Sequence, residues 1–120
     1  MLRSQVDSMI APNEFFKCLS DETRLKTILL ILNEKELCVC ELTEAIAESQ
    51  PKVSRHLAQL KNMSVLSTRR QSQWVYYRLN DDLPSWARSV LETTLAAQSE
   101  SIQPYLNNLA AMDNRPVCCN

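Results

Sequence analysis

Between residues 40 and 79 the spacing of apolar residues changes from a helical period to an alternating one, and this change limits the folds open to the chain. Segments 40–48 and 51–62 have apolar residues three or four apart, the spacing of a core-facing helix. The turn "SQP" at 49–51 separates them. In 65–79 Val75 and Tyr77 alternate with their neighbours, and β-branched or aromatic residues flank "QSQ". The pattern predicts two short helices joined by a tight turn, followed by a β-hairpin.

The second of these helices has two different faces. Its buried stripe is predicted to be Val53, Leu57 and Leu60, and the opposite face is basic and rich in amides. The residues on that face are Lys52, Arg55, His56 and Gln59. An apolar back and a basic front are typical of the second helix of a helix-turn-helix, and the hairpin would then be a wing. The wing tip carries Arg69, Arg70, Gln71 and Gln73.

Helices are predicted on both sides of this unit. Residues 14–19 form a first helix, and Ser20 is the expected N-cap of a second helix whose apolar spacing extends to Leu32. Residues 33–36 are polar and predict a loop. A last helix begins near Ser85, and Pro104 should kink or restart it. Its large apolar surface favours a homodimer, with packing inside one chain as the alternative. The predicted fold is mainly α with a β-hairpin wing.

The charge distribution is segregated. Residues 49–79 contain six basic residues and no acidic residue, although the net charge of the chain is −1. A basic block of one sign in a small domain suggests a nucleic acid partner. The alternative is a solvated face that happens to lack carboxylates.

The apolar runs and the cysteines indicate the compartment. The longest apolar run, "ILLIL" at 28–32, is too short to span a membrane, and the N-terminus lacks the apolar core of a secretory signal. The cytoplasm is therefore expected, with no membrane partner. In that compartment the five cysteines should be reduced thiols, and an odd number points to thiol or metal chemistry.

Three stretches together resemble the ArsR/SmtB family of metalloregulatory winged-helix repressors, and within it the repressors of arsenic-resistance operons. They are "FFKCLSDETRLKTILLIL", "ELCVCELTEAIAESQPKVSRHLAQLKN" and "VLSTRRQSQWVYYRL". The resemblance covers about residues 15–86. It implies a homodimer that binds double-stranded operator DNA without metal and leaves it when metal binds. It also implies a regulator and not an enzyme, with no permanently bound cofactor.

The resemblance places the operator-reading helix at 50–61. The implied DNA-facing residues of that helix are Gln50, Lys52, Ser54, Arg55, His56, Gln59 and Lys61. Amide and guanidinium groups can form paired hydrogen bonds to base edges, whereas Ser54 and Lys61 are better suited to phosphates. Arg69 and Arg70 in the wing would meet the backbone or the minor groove. For His56, a structural hydrogen bond and a metal contact remain alternatives.

Cys38 and Cys40 are the predicted sensor thiols. In an α-helix successive residues turn by about 100°, so two helical residues at this spacing would diverge by about 200° and could not hold one ion. If the start of the helix loosens, an extended C-x-C pair can converge on a soft ion. Ligand binding would then favour a state that fits DNA poorly. The alternative is that both are small buried residues.

The ligand is expected to be As(III) or Sb(III), which favour three thiolates. The familiar arsenic-repressor pattern has a third cysteine one turn after the second, and here that position is Thr43. Cys118, Cys119 or a cellular thiol could supply the third sulfur, whereas Cys18 is expected to be a packing residue. Cd(II), Pb(II) or Zn(II) is the alternative class of inducer, but no histidine follows residue 85 for a zinc site of the final helix.

Two other hypotheses use the same thiols. One is a repressor that senses oxidation, and the other is an enzyme with a C-x-C thiol pair, for which no phosphate-binding loop or neighbouring base is visible in the sequence. The expected organisation is a winged-helix DNA-binding and dimerisation domain at 1–112 and a flexible, cysteine-containing tail at 113–120.

Overall fold

The computed structural model describes residues 10–112 of the 120-residue chain. Within that range it contains six helices and three strands. The helices are α1 (Pro12–Leu19), α2 (Glu22–Glu34), α3 (Val39–Ile46), α4 (Gln50–Asn62), α5 (Ser85–Ala97) and α6 (Ser99–Ala110). The strands are β1 (Glu36–Cys38), β2 (Leu66–Gln71) and β3 (Trp74–Leu79). The predicted fold class, mainly α with a β-hairpin wing, is confirmed.

The helix-turn-helix and the wing lie where the sequence predicts them. Helices α3 and α4 are joined by three residues, and Ser49 caps α4 by accepting a hydrogen bond from the Lys52 N–H at 3.4 Å. Strands β2 and β3 pair in antiparallel register, from Leu66 opposite Leu79 to Gln71 opposite Trp74. A two-residue turn at Ser72 and Gln73 closes this hairpin.

The strand β1 was not predicted. Residues 33–36 were expected to be a loop, but α2 continues to Glu34, and Lys35 ends it with a φ of 81°. The chain then pairs with β3, so that Leu37 lies opposite Tyr77 and Cys38 opposite Tyr76. The strand order is β1-β3-β2, and β1 is therefore an edge strand of the wing sheet. Leu37 is fully buried, which gives this short strand a side chain in the core.

Two other local predictions are wrong. Asp21, not Ser20, is the N-cap of α2, because the Asp21 carboxylate accepts a hydrogen bond from the Arg24 N–H at 3.0 Å. This bond lowers the pKa of Asp21 below its ordinary value. Ser20 instead ends α1, where its hydroxyl donates to the Lys17 carbonyl. The final helix does not restart at Pro104: it breaks at Gln98, and Pro104 lies inside α6.

One hydrophobic core joins all of these elements. Helix α2 crosses its centre with Ile28, Leu30 and Ile31 fully buried. Side chains of the other helices and of the sheet pack around it. The Asn108 side-chain amide donates to the Ala45 carbonyl at 2.9 Å, which attaches the end of α3 to α6. The core therefore holds the helix-turn-helix against both the wing and the last helix.

The chain contains no glycine, so other residues must adopt left-handed backbone conformations. Among the described residues Lys35, Ala47, Ser64 and Ser72 have positive φ. Ala47 lies between α3 and α4 with φ 63° and ψ 42°, the conformation in which glycine is favoured after a helix. Its Cβ makes this conformation costly.

We expect Ala47→Gly to raise the free energy of unfolding by about 0.5–1 kcal/mol. Glycine has no Cβ, so the energetic cost of the left-handed conformation disappears. The greater conformational freedom of glycine in the unfolded chain cancels only part of this gain. Denaturant titration followed by circular dichroism measures this change. Ala58→Gly is the matched control, because Ala58 is exposed inside α4 and there the same substitution should destabilise by about 1 kcal/mol. Equal losses in the two variants would contradict the expectation.

Candidate nucleic-acid interface and thiol site

Helix α4 presents most of the predicted DNA-binding residues to solvent. Val53, Leu57 and Leu60 are fully buried, as predicted. The predicted residues on the remaining surface are Gln50, Arg55, Gln59 and Lys61, which are exposed, and Lys52 and Ser54, which are half-buried. Lys61 also lies in the last turn of the helix, where a positive charge interacts favourably with the negative end of the helix dipole. Amide, guanidinium and ammonium groups on one exposed helix are suited to a DNA groove.

The prediction that His56 lies on the exposed face is wrong. Its side chain is only 8% exposed, and its Nε2 lies 4.0 Å from the Asp21 carboxylate. Its Nδ1 is buried without a hydrogen-bond partner among the described residues. His56 therefore packs α4 against the start of α2, and a base contact would require the histidine to leave this position.

A second contact ties α4 to α2. The Arg24 guanidinium donates to the Gln59 side-chain carbonyl at 3.4 Å and to the Cys18 backbone carbonyl at 2.9 Å. These bonds connect the N-terminal part of α2 with an exposed residue of α4. They leave the Gln59 amide N–H groups as donors to a ligand.

The wing tip is exposed and polar. Arg70, Gln71 and Gln73 are exposed beside the turn. Arg69 behaves differently, because its Nε donates to Glu36 Oε1 at 2.9 Å and its Nη2 to the other oxygen of that carboxylate. Its guanidinium also lies over the Tyr76 ring, 4.8 Å from the centroid. These hydrogen bonds hold the pKa of Glu36 below its ordinary value.

Half of the basic block is paired with carboxylates from outside it. Lys52 lies 3.2 Å from Glu48, Arg78 lies 3.9 Å from Asp81, and Arg69 pairs with Glu36. In the described part of the chain no ion pair involves the other three basic residues. These are Arg55, Lys61 and Arg70. The positive charge most available to a polyanion therefore lies on α4 and the wing tip.

Cys38 and Cys40 lie at the junction of a strand and a helix. Cys38 is the last residue of β1, is buried and has extended backbone dihedral angles, whereas Cys40 is half-buried in the first turn of α3. Only one of the two is therefore helical. Both cysteines are disulfide-bonded in this structure, which differs from the expected reduced thiols. Coordination of a soft ion requires thiolates, so it requires the reduced protein.

Hydrogen bonds stabilise the first turn of α3. The Glu41 carboxylate accepts one from the Cys38 N–H at 2.9 Å, and the Thr43 hydroxyl donates one to the Val39 carbonyl at 2.8 Å. Glu41 is buried, so this bond is protected from solvent. These two bonds fix the first turn of α3 to the backbone of Cys38 and Val39.

The thiol pair is incomplete as a metal site within residues 10–112. That range contains no group of three or more potential histidine, cysteine or carboxylate ligands. Thr43 occupies the position at which the arsenic-repressor pattern has a third cysteine. Cys118 and Cys119 lie outside the described residues. Cys18 packs in the core as predicted, and burial raises the pKa of its thiol. The same range contains no helix with the length and apolarity that a membrane span requires.

A helix-turn-helix with an exposed basic helix and a polar wing tip defines a winged helix-turn-helix DNA-binding protein. The model of the family described as "Bacterial regulatory protein, arsR family" matches residues 21–68. Together with the relatives below, this match shows that the chain belongs to the arsR family of bacterial regulatory proteins.

Two relatives match almost the whole chain. The arsenic resistance transcriptional regulator ArsR2 of Pseudomonas putida is 54% identical over 92% of this chain and 100% of its own length. The arsenical resistance operon repressor of Escherichia coli is 41% identical over 92% of this chain and 98% of its own length.

A solved structure shares the fold. The AntR antimony-specific transcriptional repressor is similar with a TM-score of 0.59 and 27% sequence identity, over 75% of this chain and 78% of that chain. The aligned share of this chain is larger than residues 21–68, so the structural similarity extends beyond the segment matched by the family model.

Proposed function

We propose that this protein is a transcriptional repressor that binds operator DNA as a homodimer and dissociates when arsenite or antimonite binds its cysteine thiolates. The observation that carries the proposal is the position of Cys38 and Cys40. They lie at the start of α3, and α3 supports the exposed basic helix α4. The high identity to arsenic resistance regulators over almost the whole chain supports this ligand class.

The DNA-binding surface of the proposal consists of α4 and the wing tip. The residues proposed to contact DNA are Gln50, Lys52, Ser54, Arg55, Gln59, Lys61, Arg70, Gln71 and Gln73. Arg55 and Gln59 are the proposed base-reading residues, because guanidinium and amide groups form paired bonds to base edges. The others position the protein on phosphates. His56 has a structural role in this proposal.

The proposed homodimer uses the surface formed by α1 and α5. Phe16 is 50% exposed and Trp86 is 37% exposed, and both pack against the buried Phe15. Large exposed aromatic side chains that cluster in this way are typical of protein interfaces. A dimer would place two copies of α4 on two half-sites of an operator.

The inducer would bind as a ligand and not as a resident cofactor. The sulfurs of Cys38 and Cys40 are suited to a soft trivalent ion, and the third donor is proposed to be Cys118, Cys119 or a cellular thiol. Cd(II), Pb(II), Zn(II) and oxidation of the thiols are the alternative signals. In this proposal the protein acts in the cytoplasm as a regulator, with no enzymatic activity and no membrane partner, and residues 113–120 form its tail.

The proposal predicts that arsenite and antimonite release the reduced protein from an operator fragment. Coupling between the two ligands should weaken DNA binding by about 5- to 150-fold, the usual range for allosteric sites. Fluorescence anisotropy of a labelled operator, titrated with arsenite, antimonite, Cd(II) and peroxide in separate samples, measures this. Release by Cd(II) or by peroxide alone would favour an alternative signal, and persistent binding with all four would refute a thiol sensor.

A further inference from the structure

The sensor cysteine and the wing belong to one sheet. Cys38 is opposite Tyr76, and Tyr76 is opposite Arg69, so these three residues form one row across β1, β3 and β2. Residues directly opposite in antiparallel strands point to the same face, and so do residues two apart in one strand. Glu36 therefore shares the face of this row.

The ion pair of Glu36 and Arg69 spans the same sheet. Arg69 extends from β2 over the Tyr76 ring and donates two hydrogen bonds to Glu36 on β1. The pair therefore joins the two outer strands, which have no backbone pairing with each other. Glu36 is two residues from Cys38, so the contact holds the strand that carries the sensor thiol.

We propose that Glu36 and Arg69 form a clamp that holds the sensor strand β1 against the wing in the DNA-binding state and opens when the thiols coordinate their ligand. In this role Arg69 is a positioning residue and not a DNA contact. The inference deepens the proposed function and rests on it. In this proposal, coordination of the ligand by the reduced thiols displaces the end of β1 from Tyr76 and thereby changes the position of the wing.

The clamp makes a thermodynamic prediction that differs from simple charge effects. A contact present in the DNA-binding state and absent in the ligand-bound state favours DNA and opposes the inducer. Its loss should therefore weaken operator binding and strengthen arsenite binding together. This ion pair is half-buried and still accessible to solvent, and such a pair changes an equilibrium constant only a little, so shifts of about threefold to fivefold are expected.

Glu36→Gln tests the DNA side of this linkage. Removal of a negative charge near DNA, together with release of Arg69, should by electrostatics alone tighten operator binding. The clamp predicts weaker binding, by about threefold to fivefold. The same substitution at Glu44, an exposed residue of α3, is the matched control and should not weaken binding. Tighter binding by Glu36→Gln would overturn the clamp.

Arg69→Gln tests the arsenite side in the reduced, full-length protein without DNA. Loss of a positive charge near the thiols should by electrostatics alone disfavour thiolates and weaken arsenite binding. The clamp predicts stronger binding, measured by isothermal titration. Weaker or unchanged arsenite binding, in a protein that still binds arsenite, would overturn the proposal.

The salt dependence of operator binding gives a readout that does not need arsenite. Loss of one phosphate contact reduces the slope of log K against log salt by about 1. Arg70→Gln should show this reduction, whereas Arg69→Gln should not. Circular dichroism checks that both variants are folded. If the wild type binds no arsenite, the proposed function fails, but the operator affinities and salt slopes still decide whether the clamp exists.

Discussion

Cys38→Ser and Cys40→Ser should each leave operator binding intact and abolish its release by arsenite. Serine has a similar size but offers no thiolate, so a soft ion loses one of the two sulfurs proposed at the start of α3. We expect most of a coupling of about 5- to 150-fold to disappear. Anisotropy titrations of the reduced variants, with and without arsenite, measure both quantities in one experiment.

Two further variants make this test specific. Cys18→Ala removes a thiol that packs in the core, so induction should persist even if the protein is less stable. Thr43→Cys adds a thiol one helical turn after Cys40 and should increase sensitivity to arsenite, because a trivalent ion would gain a third sulfur. Normal induction of Cys38→Ser and Cys40→Ser would remove both residues from the sensor.

The helix-turn-helix and its wing were predictable because they depend on local patterns. The apolar residues of α4 have helical spacing, and the residues of β3 alternate. Each of these patterns predicts its element from the residues of that segment alone. The strand β1 was not predictable in this way. It has three residues, too few for a period, and it exists because β3 offers it backbone hydrogen bonds from 40 positions away in sequence.

The burial of His56 could have been found in the sequence. Val53, His56, Leu57 and Leu60 follow the spacing i, i+3, i+4, i+7, so the histidine belongs to the core-facing stripe. Because its side chain is polar and its neighbour Arg55 is basic, His56 was assigned to the exposed face of α4. The Glu36–Arg69 contact had no such signal, because the two residues are 33 positions apart and meet only through the register of the sheet.

Arg55→Ala should weaken binding to the specific operator much more than binding to random DNA. Arg55 is exposed on α4, and no ion pair within residues 10–112 involves it. A guanidinium that forms two hydrogen bonds to a base edge supplies about 1–3 kcal/mol of discrimination, so a loss of about 5- to 150-fold in specific affinity is expected. Binding to random DNA should change by only a few fold, because one phosphate-attracting charge is lost.

Lys61→Ala is the matched control for this prediction. Lys61 is also exposed on α4 and has no ion pair in the described structure, but its ammonium is a point charge that is better suited to a phosphate. Its removal should weaken operator and random DNA by similar factors and reduce the salt slope by about 1. If Arg55→Ala gave the same uniform loss as Lys61→Ala, Arg55 would be a phosphate contact, and Gln59 would remain as the proposed base-reading residue.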